Sequence, residues 1–511
     1  MRPGLLFAGL DVSPADLPPA PPDLVADLEL ERLFAAMAAG DDEILEVARR
    51  VMPAGLVSAD EIRYRQAILR DLLATPAIAR ELYRIAGEAV AAERRAWGGG
   101  LRNAELVLRR SVGVLDGFLG SLREVWAVAE RHADDVTAPG LVAFFERVRT
   151  ELDDAYLAQA AAHVRRLRER RLVVTARLGV GNRGFDYVLR RPADGRSRLR
   201  ERVGLAASRG MAVDVTLHDQ NAMNALAELR SAAIVPAAAA VHEAVGHILG
   251  FFRLLRAEVA FYLGCANLRA ALVGTDVAVT FPEPAGFGER VLTARGIVDP
   301  CLALAVAGPV VGNDIDADGF GLVVVTGANG GGKSTLLRAV GLAQVMLQAG
   351  MFVSATELRA GLRSNVLSHF GREEESKPDG GRLDAELRRL SALVDGATPA
   401  SLILLNESMS TTNERDGAGI AHEVVTGLAD AGATVWFVTH LYELARRLHA
   451  EAAPGVLFLR AERGSGADRP FRVVEAPPLP TSFGMDRYRR LRAPATDGPP
   501  ASPVRSPGTP P

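Results

Sequence analysis

The feature that most constrains the fold is a glycine-rich segment between an apolar run and a helical pattern. Residues 321–326 read Gly-Leu-Val-Val-Val-Thr, which is typical of a buried strand, and residues 327–335 follow at once as Gly-Ala-Asn-Gly-Gly-Gly-Lys-Ser-Thr. Helical spacing then continues to about residue 347. This is the G-x-x-x-x-G-K-[ST] pattern in its strand, loop and helix setting, and it predicts a phosphate-binding loop.

The loop residues divide the expected binding chemistry between backbone and side chains. Glycines let backbone N–H groups wrap an anion, and the N-terminus of the following helix adds partial positive charge. Lys333 is one of only two lysines in the chain, and it would reach the β- and γ-phosphates of ATP, while the Ser334 hydroxyl would bind Mg²⁺. The predicted cofactors are ATP and Mg²⁺, and the predicted nucleotide contacts are Gly327, Ala328, Asn329, Gly330, Gly331, Gly332, Lys333, Ser334 and Thr335.

Two further apolar runs end in polar residues, as expected beside a nucleotide on a parallel sheet. Residues 401–405 precede Asn406 and Glu407; Glu407 would polarise the attacking water, and Asn406 stands where Asp is usual and would bind Mg²⁺ through a water. Residues 434–438 precede His440, which would either sense the γ-phosphate or simply cap the strand. The candidate catalytic residues are therefore Lys333, Glu407 and His440.

Composition narrows the class of protein. Hydrophobic residues make up 48% of the chain, so a large core is expected, and the formal charge of −3 argues against a polycation that coats nucleic acid. Two cysteines are too few for a disulfide framework. No uninterrupted apolar run approaches the roughly 20 residues that cross a bilayer. These observations predict a cytoplasmic protein without a membrane partner.

The chain is expected to be an α+β multidomain protein. We predict a flexible Pro-rich lead-in at 1–27, a mostly helical region at 28–285 with a short β-hairpin at 172–191, an α/β domain at 286–492, and a disordered tail at 493–511. Apolar spacing of three and four residues supports the helical region, and short apolar strands alternating with helices support the α/β domain.

Together these segments resemble the MutS family of DNA mismatch-repair ATPases, which are related to ABC-type ATPases. Residues 326–335 resemble the family's TGPNMGGKST, residues 406–417 align without a gap to its DEIGRGTSTYDG, and Thr439-His440 fits its A-T-H. Arg65-Gln66 resembles the start of its helical lever domain. The resemblance implies a lever-like helical region followed by an ABC-type P-loop NTPase domain.

The resemblance also implies partners. ATPase domains of this family work as a homodimer, in which a signature segment of one subunit closes over the nucleotide of the other. Here residues 379–386 resemble that segment, with Gly380 and Gly381 as the backbone cradle, although the family's usual hydroxyl is missing. The implied function is an ATP-hydrolysing dimeric switch that acts on DNA in repair or recombination, with turnover slowed by Asn406.

Two departures leave other functions open. The chain starts directly in lever-like helices, and the letters Phe144-Phe145-Glu146 fall in a helical run rather than in a mismatch-recognition domain. Reading of mismatches is therefore not expected, and that domain is expected to be absent. The main alternative is a nucleotide-gated scaffold that binds protein or RNA with little hydrolysis. An ATP-binding transporter subunit is disfavoured, because such subunits lack the preceding helices.

Overall fold

The computed structural model describes residues 2–9, 12–96, 104–168, 173–178, 184–190, 220–306, 308–328, 330–371, 381–409, 413–451, 454–462 and 470–479. Within these ranges there are fourteen α-helices and twelve strands, so the chain is of the expected α+β class. Helices dominate up to residue 273, and strands alternate with helices afterwards.

The first half of the described chain is a set of packed helices. After a 3₁₀ turn at Pro14–Asp16, they are α1 (Pro22–Asp27), α2 (Leu30–Ala38), α3 (Asp42–Val51), α4 (Ala59–Ala74), α5 (Pro76–Ala96), α6 (Ala104–Arg131), α7 (Pro139–Glu151), α8 (Asp154–Arg168) and α9 (Gln220–Val273). Helix α3 begins where Asp41 accepts hydrogen bonds from the backbone N–H groups of Glu43 and Ile44, which lack partners inside the helix. Two strands, β1 (Val173–Leu178) and β2 (Gly184–Arg190), pair antiparallel inside the predicted hairpin, whose turn lies outside the described residues.

The long helix α9 is the centre of this helical region. It packs against α2, α3, α5 and α6, and Phe252, Leu255 and Val259 are fully buried. Within the described residues, one stretch of it, Ile234–Val273, is long and apolar enough to cross a membrane by length and composition alone. That stretch also contains Glu258, which is buried and hydrogen-bonded to the backbone of Leu5. Its burial is concentrated in residues 251–272, which pack into the core of the described helices.

The second half of the described chain contains two sheets and their covering helices. In chain order the elements are β3 (Glu283–Phe287), β4 (Leu292–Ile297), α10 (Pro300–Ala305), β5 (Asn313–Asp316), β6 (Leu322–Thr326), α11 (Lys333–Gln348), β7 (Glu357–Leu362), β8 (Val366–Phe370), α12 (Arg382–Asp395), β9 (Leu402–Asn406), α13 (Glu414–Asp430), β10 (Thr434–Val438), α14 (Tyr442–Ala450), β11 (Val456–Ala461) and β12 (Val473–Glu475).

The larger sheet has the order β12-β11-β6-β10-β9-β8, and all of its neighbours are parallel except the β11–β12 pair. The smaller sheet has the order β3-β7-β4-β5. Strand β6 is buried on both faces, because Val323 and Val325 pack into the core shared with the helical region, whereas Leu322 and Val324 pack with the residues of α12, α13 and α14. A continuous apolar run is what such a strand requires.

The N-terminal residues correct the expectation of a flexible lead-in over 1–27. Leu5 is fully buried; its backbone N–H donates to Glu258 at 2.6 Å, and its carbonyl oxygen accepts from the hydroxyl of Tyr262 at 2.6 Å. Two prolines of this segment start helical turns: Pro14 and Pro22 occupy first helical positions, where the missing N–H has no cost.

Buried polar side chains join the helical region to the α/β region. Arg65 of α4 is 2% exposed, and it donates to the carbonyl oxygens of Leu6 at 2.9 Å and of Ala349, just after α11, at 3.2 Å. Its neighbour Gln66 donates to the carbonyl oxygen of Pro282 at 3.0 Å. Arg65 therefore links the helical region to the end of α11, and burial lowers the pKa of its guanidinium.

Candidate functional site

The three apolar strands that the sequence singled out end at one edge of the larger sheet. Val325 of β6 pairs with Val438 of β10, and Val438 pairs in turn with Asn406 of β9. The glycine-rich loop leaves the sheet from this edge, directly after Thr326. The carboxyl ends of parallel strands are where ligands bind in open α/β sheets, so the three strand ends lie together at a place where a ligand could bind.

The loop has a backbone that only glycine adopts without strain. Gly327, Gly330 and Gly332 have φ angles of 116°, 73° and 93°, which lie in the left-handed region or beyond it, where side chains are disfavoured. A Cβ atom at Gly327 would stand 3.0 Å from the backbone nitrogen of Ala461 on β11, and one at Gly331 would stand 2.9 Å from the Ala461 side chain. The loop is therefore packed closely against the end of β11.

Lys333 is the first residue of α11, and its side chain turns back over the loop. It is 4% exposed, and Nζ donates to the carbonyl oxygens of Gly327 at 3.0 Å and Ala328 at 3.1 Å. Burial lowers the pKa of this ammonium, and the negative charge of Glu407 acts in the opposite direction. A buried cation held by loop carbonyls beside the N-terminus of a sixteen-residue helix suits a polyanionic ligand.

Ser334 and Asn406 form the second part of the site. The Ser334 hydroxyl donates to Oδ1 of Asn406 at 2.9 Å, which brings together the start of α11 and the end of β9. Thr335 follows Ser334 in the first turn of α11. Among the described residues, no group of three or more His, Cys, Asp or Glu side chains is arranged to hold a metal. Oxygen donors such as these two suit Mg²⁺, which takes most of its other ligands from phosphate and water.

Glu407 and His440 stand at the ends of neighbouring strands. Glu407 has a φ of 51°, unusual for a residue with a side chain, and its backbone N–H donates to the carbonyl oxygen of Val438 at 2.8 Å. His440 is exposed and comes two residues after the end of β10. The structure thus brings Lys333, Ser334, Asn406 and Glu407 to one edge, and places His440 beyond the adjacent strand.

Two of the predicted contacts, Asn329 and Gly380, lie outside the described residues. Gly381 is described, and it immediately precedes α12. Helix α12 packs against β8, which is separated from β6 by β10 and β9. A Cβ atom at Gly381 would meet no atom of the described residues within 4 Å, so packing against them does not require glycine there.

Several residues that lie near the site were not predicted from the sequence. Phe471 has a φ of 51°, its carbonyl oxygen accepts from Asn313 at 3.3 Å, and the same oxygen would lie 3.4 Å from a Cβ at Gly332. Ser408 and Met409 follow Glu407 and are held by His369 and Glu386. Only the isolated buried histidine in the β8 pattern could have given a signal, because the other contacts join residues far apart in sequence.

A buried strand, a glycine-rich loop and a lysine at the start of the next helix are the features by which P-loop nucleotide-binding domains are recognised. Comparison with known families agrees: residues 323–494 match the family model for MutS domain V, and residues 57–275 match that for the MutS2 N-terminal domain. The chain belongs to the MutS family. The motifs in the sequence indicated the MutS family as a whole, and they did not predict the match of the helical half to the MutS2 model.

The curated relatives match a limited part of their own length. A protein of Chloroflexus aurantiacus named DNA mismatch repair protein MutS is 33% identical over 221 residues, which cover 40% of this chain and 23% of the relative. Proteins with the same name from Sorangium cellulosum and Synechococcus sp. are 36% and 32% identical over 186 and 224 residues. Those segments cover 20% and 25% of the relatives, so the chain spans about a quarter of their length or less.

Proposed function

We propose that this protein is a MutS-like ATPase, a dimeric switch that binds and hydrolyses ATP and acts on DNA in the repair or recombination class. The observation that carries the proposal is the meeting of the loop, Lys333, Ser334 and Asn406 at one edge of the sheet. We also propose the functional division used above, with a lever-like helical region up to about residue 285 and an ABC-type ATPase domain over 286–492.

Binding would use the backbone of 327–332 and the ammonium of Lys333. Nζ already lies over the loop on two carbonyl oxygens, so a triphosphate would replace these neutral partners with charged ones, which form stronger hydrogen bonds. Mg²⁺ would be held by the Ser334 hydroxyl and, through a water, by Asn406, and would neutralise phosphate charge. Because Asn406 is neutral, the chain supplies less charge to the metal than an Asp would.

Hydrolysis would depend on Glu407. Its carboxylate would orient and polarise the attacking water, and His440 would contact the γ-phosphate from the neighbouring strand end. The left-handed backbone at Glu407 supports this role, since strain of this kind is concentrated at functional sites. With Asn406 at the metal position, we expect turnover to be slow while binding remains strong.

Nucleotide binding is tested by titrating a fluorescent ATP analogue with Mg²⁺ into the parent chain and a Lys333→Ala variant. We expect the variant to bind about 100-fold more weakly, a loss of about 2.7 kcal/mol. The matched control is Lys377→Ala, which removes the only other lysine of the chain. Equal affinity of parent and Lys333→Ala, or no binding by either, would refute the proposed site.

Dimerisation is tested with a Glu407→Gln variant, which should hold ATP without hydrolysing it. Gel filtration with ATP and Mg²⁺ is expected to shift this variant to the size of a dimer, whereas the same variant without nucleotide elutes as a smaller species. An unchanged elution volume with bound ATP counts against the switch. The cradle for the partner's nucleotide would be formed by Gly380 and Gly381 at the start of α12.

A second candidate function, a nucleotide-gated scaffold for protein or RNA, is favoured by the neutral amide of Asn406 at the metal position. DNA titrations distinguish the two. Perfect, mismatched and branched duplexes are titrated at two or more salt concentrations, with and without ATP, because contacts to phosphates give a steep salt dependence. Binding to any duplex supports the repair class, and binding to none supports the scaffold.

A further inference from the structure

The backbone immediately after β9 contains two left-handed residues that are not glycines. Glu407 has a φ of 51° and Met409 a φ of 67°. Side chains disfavour this conformation, so such residues persist only where surrounding contacts hold them. The direction of the Glu407 side chain is set by this turn, which makes the groups that hold the turn part of the geometry of the site.

Each residue of the turn has its own hydrogen bond to another element. Glu407 N–H donates to the carbonyl oxygen of Val438 at 2.8 Å, as described above. The Ser408 hydroxyl donates to the carbonyl oxygen of His369 at 3.2 Å and lies 2.8 Å from Nδ1 of the same residue. Met409 N–H donates to Oε1 of Glu386 at 2.5 Å.

Of these hydrogen bonds, the one donated by Met409 is the one whose acceptor lies outside the sheet. Glu386 is on α12 and is 6% exposed, and its carboxylate reaches the turn across 23 residues of sequence. A hydrogen bond from a backbone N–H to a buried carboxylate is stronger than one to a neutral acceptor. It also reaches Met409, one of the two strained positions, directly.

Helix α12 is itself anchored at a second point one turn later. Arg389 lies 3.5 Å from a carboxylate oxygen of Asp23 and 3.9 Å from one of Asp27, both on α1. Asp27 is buried and also accepts hydrogen bonds from the Ser368 hydroxyl and the backbone N–H of Phe370, at the end of β8. Helix α12, which carries the Glu386 carboxylate, is therefore also in contact with α1 through these ion pairs.

We propose that Glu386 is a positioning residue for hydrolysis, which fixes Glu407 by holding the N–H of Met409 from the first turns of α12. This rests on the proposed function, since it assigns Glu407 to the attacking water. The segment expected to meet the partner's nucleotide, residues 379–386, includes the start of α12 and Glu386 itself. A displacement of that helix by a bound partner would then reach the turn that carries Glu407 of its own chain through the hydrogen bond between Met409 and Glu386.

The test separates ATP binding from turnover in a Glu386→Ala variant. At saturating ATP, single-turnover hydrolysis is expected to fall about tenfold or more, while the dissociation constant for ATP changes less than about twofold. Glu386→Gln keeps an oxygen that accepts the Met409 N–H and should restore most of the rate. Asp395→Ala, which removes an exposed carboxylate from the same helix, is the matched control and should behave as the parent.

A second readout asks whether Glu386 acts only through Glu407. In a Glu407→Gln background, adding Glu386→Ala should leave the residual hydrolysis unchanged, because the group being positioned is already disabled. A further fall in that background, or a parallel loss of binding and turnover, would show general structural support and overturn the proposal. Unchanged turnover in Glu386→Ala would overturn it as well.

Failure of the proposed function and failure of the Glu386→Ala variant to fold can each be told apart from failure of this inference. If the parent chain hydrolyses no ATP, the proposed function fails and this inference fails with it. If Glu386→Ala is insoluble, Glu386→Asp takes its place, because shortening the side chain by one carbon withdraws the acceptor while keeping the charge. A slower turnover with unchanged ATP affinity in Glu386→Asp supports the proposal, and the parent rate overturns it.

Discussion

The Ser334 hydroxyl donates a hydrogen bond to Oδ1 of Asn406 at 2.9 Å, so residues 72 positions apart meet at the start of one helix and the end of one strand. The contact joins the phosphate-binding loop to the strand that carries Glu407. It also includes Asn406, the residue at which the proposed metal site has a neutral amide in place of the usual negatively charged Asp.

Introducing a negative charge at position 406 should lower the Mg²⁺ concentration that hydrolysis requires. For an Asn406→Asp variant we expect the Mg²⁺ concentration at half-maximal hydrolysis to fall by about tenfold, because a carboxylate attracts the cation that an amide only solvates. Asn406→Leu, which has similar size and no oxygen, should raise it. A Mg²⁺ titration at fixed ATP measures both, and an equal Mg²⁺ requirement in all three proteins would contradict the assignment of Asn406.

Arg65 should be essential for the stability of the joint between the two regions. Arg65→Ala leaves the carbonyl oxygens of Leu6 and Ala349 without this partner in the protein interior, so we expect a loss of about 3 kcal/mol in the free energy of unfolding. Urea denaturation measures it. Arg80→Ala, which removes an exposed arginine from α5, is the control and should change stability by less than about 0.5 kcal/mol.

Glu258 should make stability depend on pH. Burial raises its pKa from 4.5 to about 7, so between these values the folded state keeps a proton that the unfolded state releases. The free energy of unfolding therefore falls as pH rises from about 4.5 to about 7, by up to about 3 kcal/mol, and this contribution is constant above that range.

A Glu258→Gln variant should lack this slope. Denaturation of parent and variant at pH 5, 6, 7 and 8 tests it, and the variant should gain relative to the parent as pH rises to about 7. Glu243→Gln on the same helix is the control, since its side chain is 75% exposed. A constant difference between parent and Glu258→Gln over this range would contradict the prediction.

One glycine substitution should raise the stability of the protein, and another should abolish its tight binding of ATP. Gly427→Ala lies inside α13 with no atom within 4 Å of the new Cβ, so we expect a gain of about 0.5–1 kcal/mol in the free energy of unfolding. Gly327→Ala forces a side chain into a φ of 116° against β11 and should abolish tight ATP binding. Thermal unfolding and nucleotide titration of both variants check this, and a Gly327→Ala chain with the parent's affinity would contradict it.

The sequence predicted the strands and helices around the loop because their signals are local. The apolar runs that became β6, β9 and β10 are each long enough for a buried strand, and the spacing through 333–348 is helical. The meeting of Asn406 with Ser334 also followed, since carboxyl ends of parallel strands share an edge.

The sequence could not predict contacts that depend on tertiary packing. A Pro-rich composition in residues 1–27 predicts flexibility, although Pro14 and Pro22 start helical turns and Leu5 enters the core. The hydrogen bond from Met409 to Glu386, and the left-handed turn that needs it, leave no periodic pattern. Pairing of a side chain with a remote backbone group depends on how α12 packs, which no spacing rule specifies.

The bonds that Leu5 makes to α9 have a consequence for synthesis. Leu5 precedes its partner Glu258 by 253 residues, so at roughly 5–20 residues per second the ribosome needs about 13–50 s to deliver the second partner after the first. Throughout that interval Leu5 lacks its partners Glu258 and Tyr262 on α9, although Leu6 and Phe7 meet Arg65 much earlier. Nascent chains that stall before α9 emerges should therefore be the ones that chaperones capture and proteases remove.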